Sequence, residues 1–200
     1  MQTLALVRLL NSGVVALDNH EPFLRELAAR AADGRAAGLV KPLLGDMRAL
    51  PFAANTVDLL WSEAAIYIVG FERGLRTWRT TLRSDGVVAV SEAAWLRAGA
   101  PDELRRFWDE GYPAMVGRED NARTAERCGY RVLDQFTLPA AAWWTNYYDP
   151  LVDRLEAARA RYADDDDACV ILEGEALEVD LFRKYHEYYG YVFYVLKRED

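Results

Sequence analysis

The chain has 200 residues, 52% of them hydrophobic and 28% charged. That balance excludes a disordered or fibrous protein and leaves room for one domain with an insertion. A net charge of −8 excludes a general nucleic-acid binder, which needs a basic surface against phosphates, and no run approaches the roughly 18 apolar residues of a membrane span.

MQTLALVRLL places Leu4, Val7 and Leu10 on one stripe and predicts a helix over about 2–10, stopped at Asn11, Ser12 and Gly13. It lacks the charged leader and cleavage site of a signal peptide. The helical pattern starts almost at the first residue, so an N-terminal segment is expected to precede it. Val14–Leu17 is an all-apolar strand of the kind buried on both faces of a parallel sheet. A helix over 21–32 follows, with Pro22 in its first turn and Gly34 closing it. Strands are predicted at 41–47 and 57–63, a helix at 71–82 broken by RSDG, and a strand at 87–92 ending in Glu92. Strands alternating with helices imply βαβ crossovers and a mostly parallel sheet.

Beyond residue 100 the pattern changes. Helices are predicted at 101–110 and 119–128, a strand at 130–139, helices at 150–163 and 172–187, and a closing aromatic strand at 189–198. The two late strands are joined by a mainly helical insertion over 140–187. The acidic run ADDDDA within it reads as a solvated loop rather than a metal site. Cys128 and Cys169 show neither metal-ligand spacing nor a disulfide framework, so a reducing cytoplasm is expected.

In open α/β sheets ligands bind beyond the carboxyl ends of the strands. Collected there are Asp18 and Asn19, Asp46 and Met47, Ser62 and Glu63, and Ser91 and Glu92. Like charges on one rim destabilise a fold unless solvent or a ligand separates them. Asp18 suits two ribose hydroxyls; alternatively Asp18 or Asn19 caps the helix that follows. Gly-Asp-Met at 45–47 fits an adenine edge, Asp46 accepting from the amine and Met47 packing on the ring. Glu63 and Glu92 are candidate general bases, each with the alternative of a plain rim acid. Tyr67, Tyr112 and the aromatics of 141–150, among them Trp143, Trp144 and Tyr148, form either a wall over an apolar, aromatic or cationic substrate or the insertion's own core or a dimer contact.

The order VVALD (14–18), GDMRALPFAANTVDLLWSEAAIY (45–67) and LRSDGVVAVSE (82–92) resembles the class I S-adenosylmethionine-dependent methyltransferases over essentially the whole chain. The resemblance implies a Rossmann-like α/β fold with an antiparallel closing strand. It implies S-adenosylmethionine as cofactor, held at Asp18 through its ribose and flanked by Asp46 and Met47 at its adenine. It implies that Ser62 and Glu63 face the methionyl group and the methyl acceptor. The family's glycine-rich loop, which follows its first strand, has no counterpart here, so an N-terminally truncated single domain is expected. The acceptor is expected to be a small molecule, and the protein a monomer or homodimer without nucleic-acid or membrane partners. Two other readings compete: a catalytically inert nucleoside- or partner-binding module of the same fold, and a nicotinamide-dependent oxidoreductase, against which the GDM series and the aromatic closing strand argue.

Overall fold

A computed structural model describes residues 2–32 and 36–200. They form two compact units, residues 1–56 and 57–200.

In the first unit, α1 (Gln2–Leu10) leads to β1 (Val14–Asp18), α2 (Glu21–Ala32) and β2 (Val40–Leu44). β1 and β2 pair in parallel, with Val14 opposite Val40 and Asp18 opposite Leu44. The core is small: Val7, Ala31 and Ala36, with Leu4, Val14, Leu39 and Val40 packed against them. The all-apolar β1 is not buried on both faces as expected, because Val15 is 45% exposed and Leu44 of β2 is 60% exposed. An apolar run signals burial only when both faces of the sheet are covered. The Gly34 expected to close α2 lies outside the described residues.

The second unit runs β3 (Val57–Ser62), a 3₁₀ turn (Ile66–Ile68), α3 (Phe71–Arg79), β4 (Leu82–Trp95), α4 (Asp102–Gly111), α5 (Arg118–Arg127) and β5 (Tyr130–Thr137). The insertion follows as α6 (Ala140–Trp143), a π-helical stretch (Trp144–Tyr148), α7 (Asp149–Arg161) and α8 (Asp166–Tyr185). β6 (Tyr189–Arg198) closes the unit. The strand order is β3-β4-β6-β5. β3 is parallel to β4, while β6 is antiparallel to both β4 and β5. β3, β4 and β5 therefore run one way and only β6 is reversed, the α/β arrangement expected.

Several boundaries differ from expectation: β2 stops at Leu44 rather than 47, so Asp46 and Met47 lie past its end, and α8 starts at Asp166 rather than 172. RSDG does not end at a helix stop but lies inside β4, which starts at Leu82 and bulges against β3 between Val57 and Leu59. Asp85 takes a positive φ of 66° there, and Lys197 on the neighbouring β6 pairs with its carboxylate at 2.6 Å. Part of the acidic run caps a helix instead of looping: Asp165 accepts from the Ala168 N–H at 3.0 Å, with Asp166 and Asp167 in the first turn of α8, where the helix dipole favours them. No group of three or more metal-ligating side chains occurs among the described residues, and no described helix is long and apolar enough to cross a membrane.

α3 shows how closely the second unit is packed. A Cβ at Gly74 would lie 2.8 Å from Ile66 Cγ1, and Ile66 is fully buried. The side chain has nowhere to retreat, so Gly74→Ala is expected to destabilise by about 1–3 kcal/mol despite alanine's better helix propensity. Urea denaturation of the two proteins measures this directly.

Candidate functional site

The carboxyl ends of β1 and β2 bring Asp18 and Asp46 together at one end of the first sheet. The Gly45 N–H donates to the Asp18 carbonyl at 3.0 Å, extending the ladder one step past β2. Asp18 Oδ1 accepts from the His20 N–H at 2.8 Å, and Asp46 Oδ1 from the Arg48 N–H at 2.8 Å. Each carboxylate is thus oriented by the turn that follows it. Asp18 does not cap α2 in the usual way, since its bond goes to the residue before the helix. Asn19 is exposed beside it, and Met47 is half-buried. A hollow of about 190 Å³ in this unit, lined by Leu4, Phe23, Glu26, Leu27 and Arg30, contains none of the candidate residues.

In the second unit the end of β3 turns sharply. Ala64 has φ 47°, a left-handed conformation that alanine rarely adopts. Its N–H donates to Ser91 Oγ at 2.8 Å, which fastens the turn to β4. Ser62 is buried, and Glu63 accepts from Trp61 Nε1 at 2.6 Å. Ser62 pairs with Val90, so Ser91 and Glu92 lie just past it on the adjacent strand. The expected neighbours Ser62, Glu63, Ser91 and Glu92 are brought together.

Glu92 was expected at a strand end. It sits instead inside β4, three residues before its end at Trp95, because pairing with β6 carries the strand on through Trp95 opposite Tyr189. It is 2% exposed, and neither carboxyl oxygen has a well-formed hydrogen bond. Burial pushes its pKa up to about 7, and the nearby Tyr112 phenol and Ala93 amide offset only part of that. Tyr112 is held over it by a stitched loop: the Met115 N–H donates to the Tyr112 carbonyl, and the Trp95 N–H to the Val116 carbonyl. The Tyr112 and Tyr67 rings meet edge-to-face at 6.0 Å. Burial raises the Tyr112, Tyr191 and Tyr194 phenols far above their ordinary values, and the Glu92 charge adds to each shift. Tyr191 and Tyr194 were not among the candidate residues and fall in the closing aromatic strand. The antiparallel register of β6 on β4 sets Tyr194 opposite Val90, on the face of the sheet that Glu92 shares, and Tyr191 opposite Ala93, on the other face.

The insertion aromatics divide. Trp143 and Tyr148 are buried in its core, stacked on Phe182 or tilted against it, and Trp144 is half-buried. Of the two alternatives for these residues, the structure places Trp143 and Tyr148 in the core rather than along an open wall, because α8 packs its Phe182 face onto them. Trp143 also stacks on Tyr191 at 4.8 Å, which ties β6 to the insertion core. Tyr67 stays open to solvent at 48% exposure.

Residues 1–90 match the family described as the methyltransferase domain. No curated protein matches the chain by sequence. Among solved structures, a S-adenosylmethionine-dependent methyltransferase from Thiobacillus denitrificans, in complex with S-adenosyl-L-homocysteine, is similar with a TM-score of 0.76 and 16% identity, over 94% of this chain and 76% of that one. Geranyl diphosphate C-methyltransferase from Streptomyces coelicolor A3(2), in complex with Mg²⁺, geranyl diphosphate and S-adenosyl-L-homocysteine, matches at 0.63 and 17%, over 98% and 66%. The cyclase SpnF matches at 0.71 and 17%, over 94% and 66%. The chain thus spans about two thirds to three quarters of the length of these structures. The resemblance read from the sequence holds: the chain has the fold of the class I S-adenosylmethionine-dependent methyltransferases, and its first 90 residues match their methyltransferase domain.

Proposed function

We propose that this protein is a S-adenosylmethionine-dependent methyltransferase acting on a small molecule in the cytoplasm. The observation that carries the reading is the pair of oriented carboxylates, Asp18 and Asp46, at neighbouring parallel strand ends within the matched 90 residues. Their chemistry fits a nucleoside: Asp18 Oδ2 is left to accept from ribose hydroxyls, and Asp46 suits the adenine amine, with Asn19 and Met47 beside them.

When bound, the cofactor supplies a methyl group already activated by a sulfonium charge. What remains for the protein is to align the acceptor and exclude water. Glu92, buried and with a pKa near neutrality, is suited to take a proton from an acceptor amine or hydroxyl. Glu63, tied to Trp61, is assigned to orienting the acceptor. Tyr67 and Tyr112 line the acceptor side, and Trp143, Trp144 and Tyr148 support it from behind as the insertion core.

Calorimetry with S-adenosyl-L-homocysteine tests the reading. Binding is expected, and Asp18→Ala is expected to weaken it about tenfold or more, as for loss of a charge-assisted hydrogen bond. Unchanged affinity in that variant would remove the ribose assignment. The similarity to a cyclase shows that one fold carries more than one chemistry. Binding of S-adenosyl-L-homocysteine without methyl transfer to any acceptor would therefore favour the binding-module alternative.

A further inference from the structure

We propose that this chain pairs with a second copy of itself through α8, the two helices running antiparallel and crossing at Gly174.

The first half of α8 carries features that its own fold does not use. Val170 is 68% and Ile171 65% exposed, and Leu177 is half exposed. With Gly174 among them, these residues stand at i, i+1, i+4 and i+7 and form one stripe along the helix. β-Branched residues turned to water lower helix propensity and gain no burial. A glycine in mid-helix costs more still. A Cβ added at Gly174 would meet nothing within 4 Å, so no neighbour within the chain requires glycine there. Its use lies at the surface, where a missing side chain lets the backbone of another helix approach closely.

Charge and spacing identify that helix as a second α8. The segment is acidic at its start, where Asp164 and Asp165 lead into Asp166 and Asp167, and basic at its end, at Arg183 and Lys184. About a two-fold axis at Gly174, residues equally far from it face each other. Ile171, three residues before the axis, meets Leu177 of the second copy, three after it. Asp165 and Arg183 both lie nine residues away (174 − 165 and 183 − 174), and Asp164 and Lys184 both lie ten. Each acidic end therefore runs toward the other copy's basic end while apolar residues meet in the middle. Arg183 already pairs with Asp180 of its own helix at 2.7 Å, which leaves the exposed Lys184 as the cation that steers. A parallel pair would set acidic run against acidic run, and an anionic membrane surface would meet the same repulsion.

The contact is confined to a few turns of one helix on each copy, so the pair is weak, with a Kd on the order of 10–100 μM. Below that concentration it adds nothing to the stability of the fold, and Leu177→Ala then acts on pairing alone.

Sedimentation equilibrium of the full chain from about 1 to about 300 μM is the test. A reversible monomer–dimer equilibrium is expected. Gly174→Gln, which puts a long side chain at the crossing, is expected to weaken the dimer at least tenfold. Glutamine is the better helix former, so in dilute solution this variant is expected to melt no lower than the parent, which separates a blocked contact from a damaged fold. Lys184→Glu and Asp164→Lys are each expected to weaken the dimer severalfold and the double variant to restore it, as only the antiparallel register allows. A chain that stays monomeric throughout overturns the proposal. So does a dimer that survives Gly174→Gln, or one that the double charge variant fails to restore. Co-sedimentation of a monomeric chain with phosphatidylserine vesicles, lost in Ile171→Gln, would assign the stripe to a membrane surface instead. A monomer that binds S-adenosyl-L-homocysteine overturns this contact and leaves the cofactor reading intact.

Discussion

Phe182→Ala is expected to destabilise the second unit by about 3–5 kcal/mol, seen as a large fall in the urea midpoint. Phe182 is 1% exposed, at the centre of the insertion core. Its ring centroid lies 4.7 Å from Trp143, 5.0 Å from Tyr148 and 5.7 Å from Tyr189. Truncation removes the transfer free energy of a whole ring and leaves a cavity that three rigid aromatics cannot collapse to fill. Two buried polar groups raise the cost. The Tyr148 hydroxyl donates to Glu178 at 3.0 Å, a bond that depends on the stacked ring staying in place. Burial already holds the Glu178 pKa above its ordinary value. Leu177 lies five residues earlier on the same helix and is half exposed, so Leu177→Ala is expected to change stability by no more than about 0.5 kcal/mol. Equal losses in the two variants would show that the insertion has no rigid core.

Glu92→Gln is expected to act in opposite directions on activity and stability. As the proposed proton acceptor, its loss is expected to slow methyl transfer by about 10²–10⁴-fold, with the affinity for S-adenosyl-L-homocysteine unchanged. Stability follows from the raised pKa. The folded state keeps the Glu92 proton up to about pH 7, whereas the unfolded chain releases it near 4.5. The contribution of Glu92 is therefore fully present below pH 4.5, declines between 4.5 and 7, and is gone above 7. The move from 4.5 to about 7 corresponds to about 3 kcal/mol at 1.36 kcal/mol per pKa unit. Gln carries no charge to bury, so the variant is expected to gain up to that amount over the parent at pH 8 and almost none at pH 4.5. Thermal denaturation at the two pH values reads the difference. A gain that did not depend on pH would mean that packing, and not the buried charge, is what the substitution relieves. A destabilising acid kept in a core is the pattern found where function sets the environment of a titrating group.

Much of the architecture was legible in the residue pattern. Apolar runs closed by acids at Asp18 and Ser62-Glu63, each followed by a helical period, marked strands of the parallel kind, because a βαβ crossover returns the chain in the same direction. The helices α1, α2, α4 and α5 lay within a residue or so of their expected bounds, since their signals are local: caps, glycine stops and 3.6-residue periodicity. Local chemistry also explains why Asp18 and Asp46 could be picked out together, each carboxylate being oriented by the turn next to it in the chain.

Tertiary structure decided the rest. Nothing near Glu92 in sequence announces that it is buried; the ladder with β6, a hundred residues on, carries β4 past it and brings Val192 and Tyr194 to its face of the sheet. The role of the insertion aromatics was likewise open until α8 met them, because WWTNYY reads equally as a wall or a core. What this sequence determined alone was where β1 and β3 end and that Asp18 and Glu63 stand there, since those depend on hydrogen bonds and propensities only a few residues long. The burial that raises the pKa of Glu92 depends on which distant groups exclude water from it, and that is a property of packing.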